Sequence, residues 1–457
     1  MRPPARVGKD ITACCSSNEP VRTSATKRLT LRAFLTALGL LSGVAELFAE
    51  RPVTLQLSST GGFQIQIAWQ SQSVVPAPGL AVFPDYQLHK STDLKNWTAI
   101  GERFAGDIGG ASRRFLIVDD LAGQAMAFYR VESIVELPNA DLIGEDLAQA
   151  DFSGGNLLGA DLFNASLHHA NLRSADLSGA DLRFANLTNA DLRGARLFAA
   201  RVLSADLAFA DLKDADLSFA NLDGAGLFAA TLRGADLRFC VLSDADLRFT
   251  ELNETKLDEH TLIDSKWKTV WEIVNQGAAG RNLQRADLSF SNISEADLRQ
   301  ADLRLADLTA AFAVQSDFSG ANLLNANLRF IDLHGARFDT NTVVDAKSRW
   351  IWRIVNEGAS GSDLHGLDFS SAILTEGNLS GAILTGVSFN LSFLNFANLS
   401  GADLTGASLL GADLTSANLS GANLTRANLR DANITNTDFS GAVFSNTIMP
   451  DGSTRSD

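Results

Sequence analysis

The sequence predicts an all-β coil built from a five-residue repeat, interrupted by two short helices and preceded by a small β-sandwich. Three observations carry that expectation. From Leu142 onward the chain reads ADLFN, ANLRS, ADLSG, ADLRF and ANLTN, with a leucine or a stand-in at every fifth residue. Residues 264–276 and 345–357 break this pattern with helical spacing, and residues 52–136 alternate apolar and polar side chains. A period of five is wrong for an α-helix, whose apolar stripe recurs every three to four residues, and too short for helix-pair or leucine-rich repeats.

With the central Leu or Phe of each repeat as position i, Ala usually stands at i−2, Asp or Asn at i−1, Arg or a polar residue at i+1, and often Gly at i+2. Extended backbone sends alternate side chains to opposite faces, so i and i−2 point one way and i−1 and i+1 the other. The apolar pair must face inward. Ala at i−2 lets the walls approach, Leu at i fills the interior, and Gly at i+2 permits the backbone to turn.

On these repeats the chain resembles the pentapeptide-repeat family over roughly residues 137–445. The resemblance implies a right-handed quadrilateral β-helix, with about twenty residues per coil and coils stacked at about 4.8 Å. The five-residue spacing alone leaves the number of sides open.

Taken in order, residues 1–49 form an N-terminal segment in which Lys27, Arg28 and Arg32 precede an apolar run from Ala33 to Val44 and small residues at Gly43–Ala45 or Ala49. That is the layout of a bacterial-type export signal, with a basic arm of unusual length. The run is too short for a good membrane span. Extracytoplasmic localisation, periplasmic or secreted, follows as the expectation.

Residues 52–136 carry strand candidates at Phe63–Trp69, Tyr86–Lys90, Trp97–Ile100, Arg113–Val118 and Ala127–Val131, separated by Gly, Pro and Asp. They read as a small β-sandwich, and the words YQLHKSTDLKNW and FYRV resemble immunoglobulin-like or fibronectin-like modules. A β-helix has an open apolar end, so capping it is one role for this module and ligand or wall binding another.

The first repeat block, 137–262, has centres from Leu142 in register to Leu262. The insertion at 263–282 contains DSKWKTVWEIVNQ, with Asp264 as N-cap, Trp267, Val270, Trp271 and Val274 on one face and Gly277 as terminator. Block two, 283–343, runs from Leu283 to Val343 with Ala313 breaking the leucine file. The insertion at 344–363 repeats the first after 81 residues, as Asp264 and Asp345 show. The helices either replace part of a coil or lie outside it. Block three, 364–448, is rich in Ser, Thr and Asn, and Met449–Gly452 begins a tail, 449–457, with a turn signal. About fourteen coils make a rod of about 65 Å at the strand spacing.

The formal net charge is −15. Residues 1–51 contribute about +4, the next segment to 136 about −2 and the repeats about −17. An acidic rod disfavours nucleic acid as a direct partner. On one wall Arg173, Arg193, Lys213 and Arg233 follow each other at twenty-residue spacing, either as charge balance for Asp191 and Asp211 or as an anion-binding ladder. Stacked carboxylates repel by about 0.9 kcal/mol per neighbour in a water-like dielectric, which favours such balance. Asp141, Asp161 and Asp181 form an acidic file whose expected work is hydrogen bonding at turns. Phe184, Phe209, Phe219, Phe239 and Phe249 sit at i+2 as candidate exposed aromatics, to pave neighbouring coils or to contact a partner.

Catalysis finds little support: His168 and His169 lack a distinctive partner, and no phosphate-binding loop or zinc spacing occurs. Cys240 takes an Ala slot and reads as a small buried residue. No cofactor or metal is implied. The functional expectation is a non-enzymatic, exported scaffold for protein interaction or spacing, of open oligomeric state. The family resemblance implies an alternative, since some cytoplasmic members resemble acidic duplex DNA and bind DNA gyrase. The export signal, the sandwich and the helices depart from that pattern.

Overall fold

In a computed structural model of the chain, Val135 and residues 137–457 are described with their side chains, and between residues 27 and 134 the backbone of seven strands is described. The apolar run from Ala33 to Val44 and the cysteines at 14 and 15 lie outside the described residues. One compact unit, Met1–Ser73 with Asp107–Gly110, contains an antiparallel sheet of β1 (Lys27–Thr30), β2 (Thr54–Ser58) and β3 (Gln64–Ala68), in that order.

The other unit, Val74–Gly106 with Ala111–Asp457, contains an antiparallel sheet and the repeats. That sheet orders β5 (Thr98–Ala105), β4 (Asp85–Ser91), β7 (Ala127–Ile134) and β6 (Ile117–Asp119). β4, β5 and β7 overlap the expected strands Tyr86–Lys90, Trp97–Ile100 and Ala127–Val131, whereas β6 shares only Ile117 and Val118 with the expected Arg113–Val118.

From Asp141 the chain becomes a β-helix. Parallel bridges join residues twenty apart, Asp141 to Asp161 and Asp161 to Asp181, so four five-residue repeats complete one coil. One repeat shows the mechanism. Leu172 N–H donates to Asp191 O in the next coil at 2.7 Å, Asn171 N–H to Ala150 O in the previous one at 2.9 Å, and Ala175 N–H closes the turn on Leu172 O at 3.0 Å. The turn places its third residue, Ser174, at φ 55°, the left-handed conformation of a type II turn. Where Gly is absent, Asn164, Phe184 or Phe209 adopts it instead. That costs an L-residue about 1–2 kcal/mol, offset by bonds to both neighbouring coils.

Centres and i−2 alanines are buried as the pattern requires: Leu172, Leu192 and Leu212 are fully buried, as are Ala170 and Ala220. Each fully buried leucine contributes at most about 1.5–3 kcal/mol. Asp or Asn at i−1 binds the turn, as expected: Phe163 N–H donates to Asp161 Oδ1 at 3.1 Å and Arg183 N–H to Asp181 Oδ1 at 3.2 Å.

Two predicted centres are overturned. Leu262 is 55% exposed and Val343 46% exposed, and both take the bridging i−1 position, opposite Val241 and Asn322. The inward positions belong to Ile263 and Val344, which pack on the core. The cause is one added residue in the preceding turn. Asp258 accepts from Phe239 N–H at 3.2 Å and Thr261 N–H at 3.0 Å, so its carboxylate replaces the carbonyl that the added residue displaces. Asp339 does the same for Gly320 N–H at 2.8 Å and Thr342 N–H at 2.8 Å.

After Ile263 the five-residue count is preserved through α1 (Ser265–Gln276), which occupies the place of two repeats before Ala278 resumes the ladder. α2 (Ala346–Asn356) stands in the same relation to Val344 and Ala359. The helices are therefore inserted in the coil. α1 buries Trp267, Val270 and Ile273, while Trp271 and Val274 are only partly buried. Trp271 Nε1 donates to Thr255 O at 3.1 Å and Trp352 Nε1 to Ala336 O at 2.7 Å.

Asp345 caps α2 through Ser348 N–H, at 3.0 Å, and the Ser348 hydroxyl. Asp264, expected as the cap of α1, makes no such bond. Trp267 stands where Ser348 does and has no hydroxyl to hold the carboxylate. Gly377 fills an Ala slot because a Cβ there would lie 2.8 Å from the Ile354 methyl of α2.

At the C-terminus the tail folds back rather than merely turning. β8 (Thr447–Ile448) pairs with β9 (Thr454–Arg455), and the Arg455 guanidinium lies 3.7 Å from the Phe444 ring centroid. No helix of the described residues is long and apolar enough to cross a membrane.

Candidate interaction surface

Everything apolar that the repeat needs is inside, so apolar side chains outside require another account. The five candidate aromatics stand at the turns, where the left-handed residue projects from the coil. Phe209 is 57%, Phe184 54%, Phe219 51% and Phe239 40% exposed, and Phe249 is half-buried.

Because residues twenty apart stack, these phenylalanines join others that the i+2 position alone did not reveal. Along one edge Phe209 meets Phe228 at 5.5 Å between centroids, Phe228 meets Phe249 at 5.4 Å, and Phe249 meets Phe312 at 4.8 Å and Phe290 at 5.9 Å. The line crosses the first helical interruption without a gap. Arg248 lies over Phe228 at 5.4 Å, a cation–π contact that holds the guanidinium beside the rings.

A second edge stacks Phe198 on Phe219 at 5.4 Å, Phe219 on Phe239 at 4.4 Å and Phe239 on His260 at 4.9 Å. His260 is 21 positions from Phe239, so the residue added at Asp258 hides it from a count of twenty. Phe184 meets Phe163 at 5.6 Å on a third edge. Phe163, Phe198 and Phe228 at i+1 and Phe312 at i−1 are members that the i+2 file does not contain, and Phe290 is a further i+2 member. Following every outward position at coil spacing, rather than i+2 alone, finds them.

The three arginines of the basic ladder lie beside neighbouring carboxylates. Arg193 pairs with Asp191 and, at 3.3 Å, with Asp211, and Arg173 Nε lies 3.9 Å from Asp191. Arg233 binds Glu254 at 2.7 Å, Glu251 at 3.1 Å and Glu295 at 3.7 Å. Lys213 gives its backbone N–H to Asp211 Oδ1 at 3.1 Å. Partial burial pushes the Asp191 carboxyl up, but hydrogen bonds from Arg193 and the charges of Arg193 and Arg173 outweigh it and leave it below the usual carboxylate range. Hydrogen bonds donated to Glu254 and Glu251 raise Arg233 above the ordinary guanidinium value. At the arginines an anion would have to displace these partners.

In block three this ionic dressing gives way to neutral bonds between coils. Asn423 Nδ2 donates to Thr405 Oγ1 at 2.9 Å and Asn433 Nδ2 to Thr415 Oγ1 at 2.8 Å. His168 Nδ1 lies 2.5 Å from the Thr188 hydroxyl, which is donated to Asn186 Oδ1 at 2.8 Å, and its ring is tilted against that of His169 with centroids 4.0 Å apart. Cys240 is buried with Sγ 2.6 Å from Leu217 O, and burial pushes its thiol up to about 12. Such a thiol is inert at neutral pH. Among the described residues no group of His, Cys, Asp and Glu is placed to hold a metal ion.

The family model described as pentapeptide repeats matches the chain in segments from 137–168 through 227–259, at 282–312 and 301–339, and from 359–390 through 407–446. Among solved structures, HetL of the cyanobacterium Nostoc sp. strain PCC 7120, titled a pentapeptide repeat protein involved in heterocyst differentiation regulation, is 26% identical. It covers 70% of this chain and 91% of its own, with a TM-score of 0.16. A thylakoid-lumen pentapeptide repeat protein of Arabidopsis thaliana is 28% identical over 28% of this chain and 77% of its own, at a TM-score of 0.16. QnrB1, titled a plasmid-mediated fluoroquinolone resistance protein, is 17% identical over 45% of this chain and 82% of its own, at a TM-score of 0.23. No curated protein sequence matches.

Proposed function

Because the chain belongs to the pentapeptide-repeat family, we propose that it is a non-enzymatic scaffold whose β-helix presents fixed rows of side chains to a protein partner. In this reading the coils form the right-handed quadrilateral β-helix of the family, the segment 52–136 is a β-sandwich that caps its first coil, and residues 1–49 direct the chain out of the cytoplasm.

The observation that carries the reading is the aromatic line Phe209, Phe228, Phe249, Phe312 along one edge, with Phe209 and Phe312 exposed, Phe228 and Phe249 half-buried, and each ring held by edge-to-face or tilted contact with the next. Aromatic rings anchored on a rigid support give contact area with little loss of side-chain freedom, which is what favours them in interfaces. The stack of hydrogen-bonded coils supplies the rigidity.

The test is capture of cross-linked partners by the full chain and by a variant with Phe209, Phe249 and Phe312 changed to Ser. A partner held by the first and lost by the second supports the reading. Equal capture by both removes the aromatic edge from it. Export is tested separately, by fusing residues 1–55 to a reporter active only outside the cytoplasm.

The acidic surface supports a second reading, a DNA-mimic protein that binds DNA gyrase, on the net charge of −15. Cytoplasmic retention of the reporter together with inhibition of gyrase supercoiling would favour it. Binding of an anion along Arg173, Arg193, Lys213 and Arg233 is a third, tested by phosphate titration of an Arg193→Glu, Lys213→Glu variant.

A further inference from the structure

Each helical interruption leaves a seam where one coil meets the next but one. Among the described residues a single backbone hydrogen bond crosses each seam: Phe249 N–H to Phe290 O at 2.7 Å, and Phe330 N–H to Ser371 O at 2.8 Å. The seams differ in their apolar filling. At the first, Trp267, Val270 and Ile273 of α1 join one continuous core with the coils on both sides. At the second the fully buried core divides, ending at Phe338 on one side and starting again with Ile351 and Ile354 of α2 on the other, while the partly buried Val355 of α2 packs on both.

Polar side-chain contacts cross both seams, and at the first Arg233 reaches Glu295 at 3.7 Å. At the second, Arg329 reaches Ser371 Oγ at 3.2 Å, and His334 reaches both ways. Its Nδ1 lies 2.5 Å from Asp332 Oδ1 within its own coil, and its Nε2 lies 2.8 Å from Thr375 O beyond the seam. Asp332 Oδ1 also accepts the His334 backbone N–H at 3.1 Å, as an ionised carboxylate does. Both ring nitrogens thus face acceptors, and a neutral imidazole has one N–H to give.

We propose that the protonated His334 is a clasp joining the second and third repeat blocks, and that its deprotonation loosens this seam alone. The corresponding residue of the first seam, 81 positions earlier, is Asn253. Its Nδ2 reaches Ser294 O at 3.4 Å and its Oδ1 is buried without a partner, so that seam has no titrating member in this place.

The charged groups facing His334 are Asp332 and Glu376, both acidic. The bond to Asp332 first of all, then the Thr375 carbonyl and these charges, hold the imidazole above its ordinary value against the opposing effect of its burial. A raised folded-state value means that the stabilisation is complete below about 6.5, the unfolded value, and is lost as pH rises through the higher folded one. The clasp is closed in mild acid and opens toward alkaline pH.

Amide hydrogen exchange of the full chain tests this, with rates corrected for the intrinsic pH dependence of exchange. The Phe330 amide should lose protection by roughly tenfold or more as His334 deprotonates, the scale of a lost bond to a charged group, while the Phe249 amide stays level. In His334→Asn the Phe330 amide should be level as well. Histidine resonances of the unmutated chain give an independent reading, with His334 assigned by its absence in the variant and expected to titrate above the ordinary range. A level Phe330 amide in the unmutated chain, an equal step at Phe249, a step that persists in His334→Asn, or an ordinary His334 titration would each overturn the proposal.

Discussion

The Trp352 indole lies parallel to the Phe338 ring, centroids 5.3 Å apart and planes 2° from parallel, while its Nε1–H is donated to Ala336 O. One side chain thus ties α2 to the coil beneath it by stacking and by a hydrogen bond, at a seam where the fully buried core is divided. Trp352→Ala should cost about 2–4 kcal/mol of local stability, somewhat less than a fully buried Trp. Trp352→Phe keeps the stack and loses the bond, at about 1 kcal/mol. Stacked repeats open locally, so exchange protection of α2 amides is the measurement to use. Equal losses for the two variants would show that stacking contributes nothing.

The shift of register at Asp258 separates two adjacent residues that both look apolar and inward. Leu262 is exposed and opposite Val241, whereas Ile263 packs on the core. Leu262→Asn should therefore change stability by no more than about 0.5 kcal/mol, as surface substitutions do. Ile263→Asn places an amide against the core and should cost about 1–3 kcal/mol. Denaturant titration of both variants decides it, and a larger loss at Leu262 would restore the uninterrupted count of five.

That pair shows how far the letters go. Leu172 with Ala170 is legible because the period and the alternation of extended backbone together force both inward. Leu262 misleads because it still stands five residues after Leu257, and the added residue leaves no gap in the leucine file. The physical trace lies elsewhere, in Asp258 with Thr261 and Asp339 with Thr342, whose carboxylates and hydroxyls close a longer turn.

The surface is less legible in the sequence for a related reason. Phe228 and Phe312 occupy i+1 and i−1, where side chains vary freely, and only stacking brings them to Phe249. His334 likewise looks like any polar i+1 residue until the seam sets Thr375 beside it.

The Asp and Arg pairs within single repeats make a prediction about acid. Arg304 donates to Asp302 from Nε at 2.8 Å and from Nη2 at 2.6 Å, and the carboxyl is held down at about 2 by these bonds first, with the Arg304 N–H, Gln284 and the Arg304 charge assisting. A depressed value adds stability that is complete above the unfolded value of about 3.9 and is lost as pH falls toward the folded value of about 2. Carboxyl resonances should show Asp302 titrating near the lower figure and returning toward the ordinary range in Arg304→Ala. An unchanged Asp302 in that variant would assign the shift to the turn amide instead.

The two interruptions match closely enough to be exchanged. Asp258, Trp271 and Asn275 recur as Asp339, Trp352 and Asn356, each 81 positions on. Asn275 Nδ2 donates to Leu252 O at 2.9 Å, and Asn356 Nδ2 to Leu333 O at 3.0 Å, again 81 apart. Deleting residues 264–344 would join Ile263 to Asp345, seat α2 where α1 lies, and bring Phe249 opposite Ser371. Every coil keeps its count of five, so each surviving backbone group finds a partner of the kind it has now. The shortened chain should keep its β signal per residue and a cooperative thermal transition. A deletion two residues shorter should not, because the next block would then present i−2 residues where the ladder needs centres. Circular dichroism and size-exclusion chromatography of the two proteins make the comparison. Equal behaviour would mean that the seams tolerate any register, and that the recurrence is no more than a likeness of sequence.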